Sequence, residues 1–341
     1  MVANFSSMVE EPNQTNSNNC SLEPDNWTFT YVPAYILSIS VLGIVLNIFV
    51  LMVFILHKNP CTVSEIYLSN LAAADLFLVS FLPFWAVNAW NKFDWIFGLA
   101  MCKIVKMSIL MNVYCSIYFL VLISIDRYLA VVHPLFHGGM RRPKFAKISC
   151  VMVWILGLIL SVPRLINIEL APDRNITTCS EPNQVISEWM ILVLGFFIPI
   201  SIILFCTVNI LKALRNRSIQ RVNAKKNDHK ANTLVLAVLL AFLICWVPFH
   251  LCRIPSNLQY AYILTGCMHK KILYYCGQIF TYLAFFNSVL NPILYVIVGR
   301  NFRDKLKELF KQWDQKHSAT ISLTATSTRF LRSVKSQQII N

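Results

Sequence analysis

Residues 44–56 read IVLNIFVLMVFIL. Only Asn47 in that run is polar, and no alternation interrupts it. A strand of a closed membrane barrel would instead alternate over about ten residues. With the apolar residues before it, the run reaches the ~20 residues that carry a helix across a bilayer. A helix is the required form, because lipid offers an open backbone no hydrogen-bond partner. Six further stretches read the same way, giving spans at about 32–56, 63–88, 99–132, 145–166, 186–214, 230–257 and 271–298.

Composition agrees. Of 341 residues, 56% are hydrophobic and 13% charged, against roughly 45–50% and 25% in ordinary globular chains. Sixteen acids and thirty basic residues do not cover the surface of a soluble protein this long. Disorder, collagen and a small disulfide scaffold are excluded as well. The expected fold is an all-α membrane protein, a seven-transmembrane helix bundle with a short amphipathic helix on the membrane surface. Residues 1–31 read as a glycosylated extracellular tail, 32–300 as the bundle, 301–315 as the amphipathic helix and 316–341 as a cytoplasmic Ser/Thr-rich tail. No cleavable signal peptide is visible in 1–31, which lack Lys and Arg, so the first span is expected to direct its own insertion.

Orientation follows from the basic residues. Lys58, the 127–147 and 212–230 stretches and the segment after the seventh span hold 22 of the 30. That side is cytoplasmic, and the odd number of spans places the N-terminus outside. Asn4, Asn13, Asn19, Asn26 and Asn175 each begin N-x-S/T and fall on the outer side, as glycosylation requires. The formal charge of +14 therefore belongs to the cytoplasmic face, where topology and anionic lipid account for it. The bilayer is the expected partner of that charge, and nucleic acid is not.

Eleven cysteines are present. Cys20, Cys102, Cys179 and Cys267 lie on the outer side, an even set that suggests two bridges in an oxidising compartment, with the pairing open. The other seven read as small apolar packers. No C-x-x-C pair or Cys/His cluster suggests zinc. No H-E-x-x-H, G-x-S-x-G or P-loop pattern suggests catalysis, so the chain is expected to be no enzyme.

Polar groups inside spans are costly and mark function by default. Asp75 lies mid-span in LSNLAAADLF. Asn47, Asn112, Ser116, Asn287, Ser288 and Asn291 lie at similar depth in other spans. They suit either a small hard cation such as sodium or a hydrated network around a partly protonated carboxyl. Pro83, Pro163, Pro199, Pro248 and Pro292 permit kinks, which fits a transporter as well as a receptor. A transporter would show an internal repeat with matching broken helices, and none is evident. After Pro292, Phe302, Leu306, Leu309, Phe310 and Trp313 recur at helical spacing opposite a basic face, the pattern of a helix lying on the inner leaflet. The terminal Ser/Thr cluster reads either as a disordered tail or as a phosphorylation target.

Over residues of about 30–315 these motifs resemble rhodopsin-like G-protein-coupled receptors. The resemblance rests on Asn47, LAAAD with Asp75, Cys102, Asp126-Arg127-Tyr128, Trp154, Pro199, CWVP at 245–248, and Asn291-Pro292 with Tyr295. It implies a Cys102–Cys179 bridge and a sodium site at Asp75, Asn112, Ser116, Asn287 and Asn291. It implies a packing switch of Ile117, Pro199 and Phe242 beneath Trp246, with Pro248 as the pivot of the sixth span. Arg127 would meet a heterotrimeric G protein, and Asp228 would hold it at rest. Thr207 departs from the pattern, standing where a supporting tyrosine is common. The tail would engage receptor kinases and arrestin.

A closer resemblance is to bradykinin (kinin) receptors, carried by CTVSEIYLSNLAAADL (61–76), LPFWA (82–86), FDWIFG (93–98), SIDRYLA (124–130), GFFIPISIILFC (195–206) and YVIVGR (295–300). It implies an extracellular kinin peptide as ligand, coupling to Gq-class G proteins and phospholipase C at the plasma membrane, and a Cys20–Cys267 bridge. The expected ligand-binding residues are Trp85, Lys106, Arg164, Glu188, Trp246, His250, Arg253, Gln278 and Phe285. The acids that related receptors place at the outer ends of the sixth and seventh spans are replaced by Ser256 and Tyr274. Cationic recognition then moves to candidates such as Glu169, Asp173, Glu181 or Glu188. PFHLCRIP (248–255) also resembles receptors for nucleotides and anionic lipids, in which His250 and Arg253 would bind the anion.

Overall fold

The computed structural model describes residues 26–57, 60–133, 142–173, 176–182, 185–220, 226–259, 267–299 and 302–315, with side chains omitted at 26–27, 173, 185, 216–220, 226–235, 253–259 and 267–270. Its helices are α1 (Asn26–Leu56), α2 (Val63–Trp90), α3 (Gly98–Val132) and α4 (Pro143–Ile166). A hairpin of β1 (Glu169–Asp173) and β2 (Ile176–Ser180) follows. The fifth helix, α5, joins Val185–Leu192, a π turn at Val193–Phe197 and Ile198–Gln220. Then come α6 (Lys226–Gln259), α7 (Cys267–Ile297) and a terminal helix α8 at 302–315. Six of the described helices are long and apolar enough to cross a membrane, and α6 carries a shorter apolar run, Leu236–Cys252.

α3 is the axis of the bundle. It packs against α2, α4, α5 and α6, while α1 closes the ring by touching α2 and α7. Its apolar stretch is 83% buried, against 28% for α4, so lipid-facing residues of α4 such as Val151, Ile155 and Ile159 belong to the periphery. Small residues permit the close approaches. A Cβ at Gly43 of α1 would lie 2.7 Å from Val79 of α2, and one at Gly157 of α4 would lie 2.8 Å from the Cys115 sulfur of α3, the use of small residues common between membrane helices.

Local sequence explains the element ends. Thr62 and Glu65 form a reciprocal capping box at α2: Thr62 Oγ1 accepts from Glu65 N, and Glu65 Oε2 accepts from Thr62 N at 2.7 Å. Pro199 lacks an N–H, so the Gly195 carbonyl loses its α-helical donor. The backbone widens there into the π turn, with Ile198 N bonded five residues back to Val193 O, a device common near functional sites. The neighbouring Leu194 carbonyl accepts from Tyr118 of α3 at 2.9 Å.

The β-hairpin, which the helical periodicity did not anticipate, is tied down by the Cys102–Cys179 disulfide and by the 93–98 loop. Asp94 accepts from Thr177 N at 2.8 Å, and Trp95 N donates to Thr177 O at 2.7 Å. At the opposite end, α8 docks through Phe302, which is buried against Phe49, Phe54 and Tyr295.

Candidate functional site

Near the hairpin, α4 and the start of α5 carry a buried charge cluster. Arg164 Nε lies 2.5 Å from Glu181 Oε2, and Arg164 Nη1 lies 3.3 Å from Glu188 Oε1. Ser187 donates to the other Glu181 oxygen at 2.7 Å. All three charged side chains are out of solvent. A buried guanidinium favours such paired carboxylates, so the charge of Arg164 is committed to loop and α5 acids. Two expected site residues, Arg164 and Glu188, thus come together, and Arg164 is the common partner of Glu188 and Glu181.

Lys106, one turn below Cys102, is buried with its ammonium 5.2 Å from the centre of the Trp85 ring, a cation–π distance. Gln278 accepts from the Tyr282 hydroxyl at 2.8 Å, and Tyr282 also approaches Phe285. Trp85 and Phe285 are buried. His250 is buried too and stacks on Phe196, with ring centres 4.3 Å apart, while also contacting Trp246 and Phe249. It belongs to an aromatic cluster rather than to a row of cations. The Arg253 side chain lies outside the described residues.

Beneath that cluster, Phe242 stacks on Trp246 at 5.7 Å. Ile117, Pro199 and Phe242 are buried, and Pro248 lies just beyond Trp246 on α6.

The centre of the bundle gathers around Asp75, which is fully buried. Oδ1 accepts from Asn112 Nδ2 at 2.9 Å and Ser288 Oγ at 2.8 Å, and Oδ2 accepts from Asn291 Nδ2 at 2.8 Å. Asn112 also reaches Ser116 Oγ at 3.2 Å, and Asn47 binds the Ser288 carbonyl at 2.9 Å. Four helices, α1, α2, α3 and α7, are therefore joined through side chains of the expected polar set. Ser288, rather than Asn287, is the α7 neighbour that touches the carboxylate along with Asn291. The side-chain oxygens of Asn47, Asn287 and Asn291 are buried with no hydrogen-bond partner among the described residues. One carboxylate with neutral oxygens around it is a donor set that suits a hard cation.

At the α8 end, Arg127 lies 3.3 Å from Asp126 Oδ2 and accepts a further hold from Ser64 of α2, whose hydroxyl oxygen receives the guanidinium N–H. Ser64 in turn donates to Asp126 at 2.7 Å. Tyr128 bonds His133 at 3.0 Å. The Asp228 side chain lies outside the described residues, as do Cys20, the Cys267 side chain and the glycosylation candidates Asn4, Asn13, Asn19 and Asn175. Asn26 opens α1, its side chain likewise undescribed. Tyr295 and Pro292 are buried in α7.

This ordered arrangement, a disulfide-held hairpin at one end, a central Asp75 cluster and an Arg127 clasp at the other end, coincides with a family match. A model described as "7 transmembrane receptor (rhodopsin family)" matches residues 46–295. The chain belongs to that family. It is a multi-pass, all-α membrane receptor and not an enzyme. The receptor is 43% identical over 299 residues to the human B2 bradykinin receptor, covering 85% of this chain and 76% of that one. It is 44% identical over 279 residues to the mouse B2 bradykinin receptor, covering 79% and 71%. It is 39% identical over 319 residues to the human B1 bradykinin receptor, covering 90% of each.

Ser64, Glu65 and Tyr118 carry contacts that sequence reasoning did not assign. Glu65 had a usable signal, since Thr62-x-x-Glu65 before an apolar run is a capping-box pattern. Ser64 and Tyr118 had none, because a lone hydroxyl in a span does not announce its partner.

Proposed function

We propose that this chain is a plasma-membrane receptor for a kinin peptide, with its N-terminus outside the cell. It signals through a Gq-class G protein to phospholipase C and calcium. The observation that carries this reading is the 39–44% identity, over most of the chain, to receptors named for bradykinin.

The mechanism is a population shift. Peptide enters from the hairpin end, above Trp246, Gln278 and Phe285, and favours the state in which the Trp246–Phe242 stack repacks. α6 pivots at Pro248, its far end separates from α3, and Arg127 leaves Asp126 and Ser64 to meet the G protein. Asp75, with oxygens of Asn112, Ser116, Asn287 and Asn291, would hold a sodium ion, whose positive charge would favour the resting packing of α2, α3 and α7 around the carboxylate. Receptor kinases and arrestin act on the 316–341 tail.

The test is intracellular calcium in cells expressing the receptor, challenged with bradykinin, with the form lacking its last arginine, and with a nucleotide and acidic-lipid panel. The expected result is a response to one kinin that Arg127→Ala abolishes. Silence to both kinins with a response to an anionic ligand, lost in Arg253→Ala, would overturn the reading.

A further inference from the structure

Trp85 and Asn88 stand one turn apart near the end of α2, the spacing that makes side chains neighbours on one helix face. Trp85 is 2% exposed and Asn88 5%. Trp85 Nε1 and Asn88 Oδ1 are both buried with no hydrogen-bond partner among the described residues. Buried polar atoms are ordinarily paired, so an open donor and an open acceptor on one face need a physical account.

Both residues are held where they stand. The Lys106 ammonium of α3 lies 5.2 Å from the centre of the Trp85 ring, which fixes the indole against α3. The Asn88 carbonyl accepts from Phe93 N at 2.8 Å and so begins the turn into the 93–98 loop. Asp94 of that loop accepts from Thr177 N of the hairpin. The two open atoms therefore lie at the hairpin end of the bundle. The kinin reading, on which this step rests, brings the ligand in at that end.

Their chemistry narrows the occupant. The Trp85 N–H only donates, and the Asn88 side-chain oxygen only accepts. An ammonium or guanidinium offers donors alone and leaves the Trp85 N–H unanswered. An ionised phosphate or carboxylate offers acceptors alone and leaves the Asn88 oxygen unanswered. A neutral amide answers both. An extended peptide residue presents its own N–H and C=O to the same side, as it does to a neighbouring strand. We infer that Trp85 and Asn88 form a subsite for the main chain of one residue of a peptide ligand. Trp85 Nε1 donates to that residue's C=O, and Asn88 Oδ1 accepts from its N–H. The subsite reads main chain, so the charged ends of the ligand are recognised elsewhere.

The test is a coupling cycle between the ligand main chain and Asn88, in full-length receptor on intact cells. Bradykinin, and the form lacking its last arginine, are made with one backbone N–H at a time replaced by an ester oxygen. Each analogue is bound to the wild type and to Asn88→Leu, with surface receptor number measured on the same cells. Asn88→Val takes the place of Asn88→Leu if the latter does not reach the surface. One ester in the kinin that binds is expected to weaken binding to the wild type about fivefold. The same ester is expected to have no effect in the variant, because its partner has gone. Trp85→Phe keeps a ring and removes the N–H, and it is expected to weaken the parent peptide while leaving that ester's penalty in place. If every ester costs the same in wild type and Asn88 variant, Asn88 makes no hydrogen bond to the ligand main chain and the inference falls. A water bridging Trp85 and Asn88 would give that result. If neither kinin binds the wild type, the kinin reading falls first and the subsite falls with it.

Discussion

Arg164 Nε and Glu181 Oε2 meet at 2.5 Å with both side chains out of solvent. The pair joins the end of α4 to the segment between β2 and α5, next to the hairpin that Cys179 anchors. Breaking a buried ion pair from one side leaves an uncompensated charge and costs about 3–5 kcal/mol, whereas replacing the whole set by neutral groups costs far less. Arg164→Met is therefore expected to lower the melting temperature of detergent-solubilised receptor sharply, with two acids stranded. Adding Glu181→Gln and Glu188→Gln to it should restore most of the loss. An Arg164→Met receptor that melts like the wild type would show that the cluster carries no such strain.

Asp75 offers a second, separable expectation. Three donors from α3 and α7 converge on its carboxylate. In Asp75→Ala each donor loses its acceptor at about 1–3 kcal/mol apiece when buried, so the solubilised receptor should melt early. Asp75→Asn keeps the shape and one acceptor oxygen but removes the charge. In the proposed sodium reading, raising sodium chloride weakens agonist binding to the wild type, with choline chloride as the ionic-strength control. Asp75→Asn should bind agonist equally in both salts. A sodium effect that persists in Asp75→Asn would place the ion elsewhere.

The spans were legible because about 20 apolar residues in lipid admit one backbone solution. The run around Asn47 needed no tertiary information to be read as a helix. The polar residues of the centre were legible for the converse reason: Asp75 and Asn291 have no business in lipid unless they meet. Which residues would meet was not. Ser288 rather than Asn287 touches Asp75 because rotation about α7 decides the matter, and one residue of helix is about 100°. The fate of Arg164 was equally hidden. A span arginine reads as a cavity cation until Glu181, on a loop with no periodicity, arrives beside it. The β-hairpin escaped notice because five-residue strands following a long apolar helix leave no pattern that outweighs it.

Glu65 links two functions through one oxygen. Its Oε2 caps α2 at Thr62 N and also lies 2.9 Å from Lys305 Nζ of α8. Lys305→Met removes one partner of an ion pair that is mostly out of solvent, but it leaves Glu65 bonded to Thr62 N. Glu65→Ala removes that pair and the cap together, and a lost cap alone costs about 0.5–2 kcal/mol. Phe302→Ala empties the aromatic socket of Phe49, Phe54 and Tyr295, a class of change costing about 3–5 kcal/mol. Hydrogen exchange of 302–315 should therefore accelerate least in Lys305→Met and most in Phe302→Ala. Equal protection in all three variants would show that α8 is held by the membrane surface instead of by these contacts.

Ser64 is the least conspicuous residue of the Arg127 clasp and gives the sharpest test of it. Its hydroxyl donates to Asp126 at 2.7 Å and accepts from Arg127, so it aligns the acid and the base of the same motif. Ser64→Ala leaves Asp126 in place but removes that bridge, at about 1 kcal/mol for a single hydrogen bond. If the bridge exists only in the resting state, that energy shifts the resting-to-active ratio about fivefold toward the active form, since 1.4 kcal/mol is tenfold. Basal nucleotide exchange on the coupled G protein should rise by up to that factor, and agonist affinity should rise with it. Ser64→Thr keeps the hydroxyl and should stay near wild type. Ser64→Ala combined with Arg127→Ala should show no basal exchange at all, because the released group is itself missing. A Ser64→Ala receptor whose basal exchange is unchanged or lower would mean that the Ser64 contact persists in the active state or plays no part in holding Arg127.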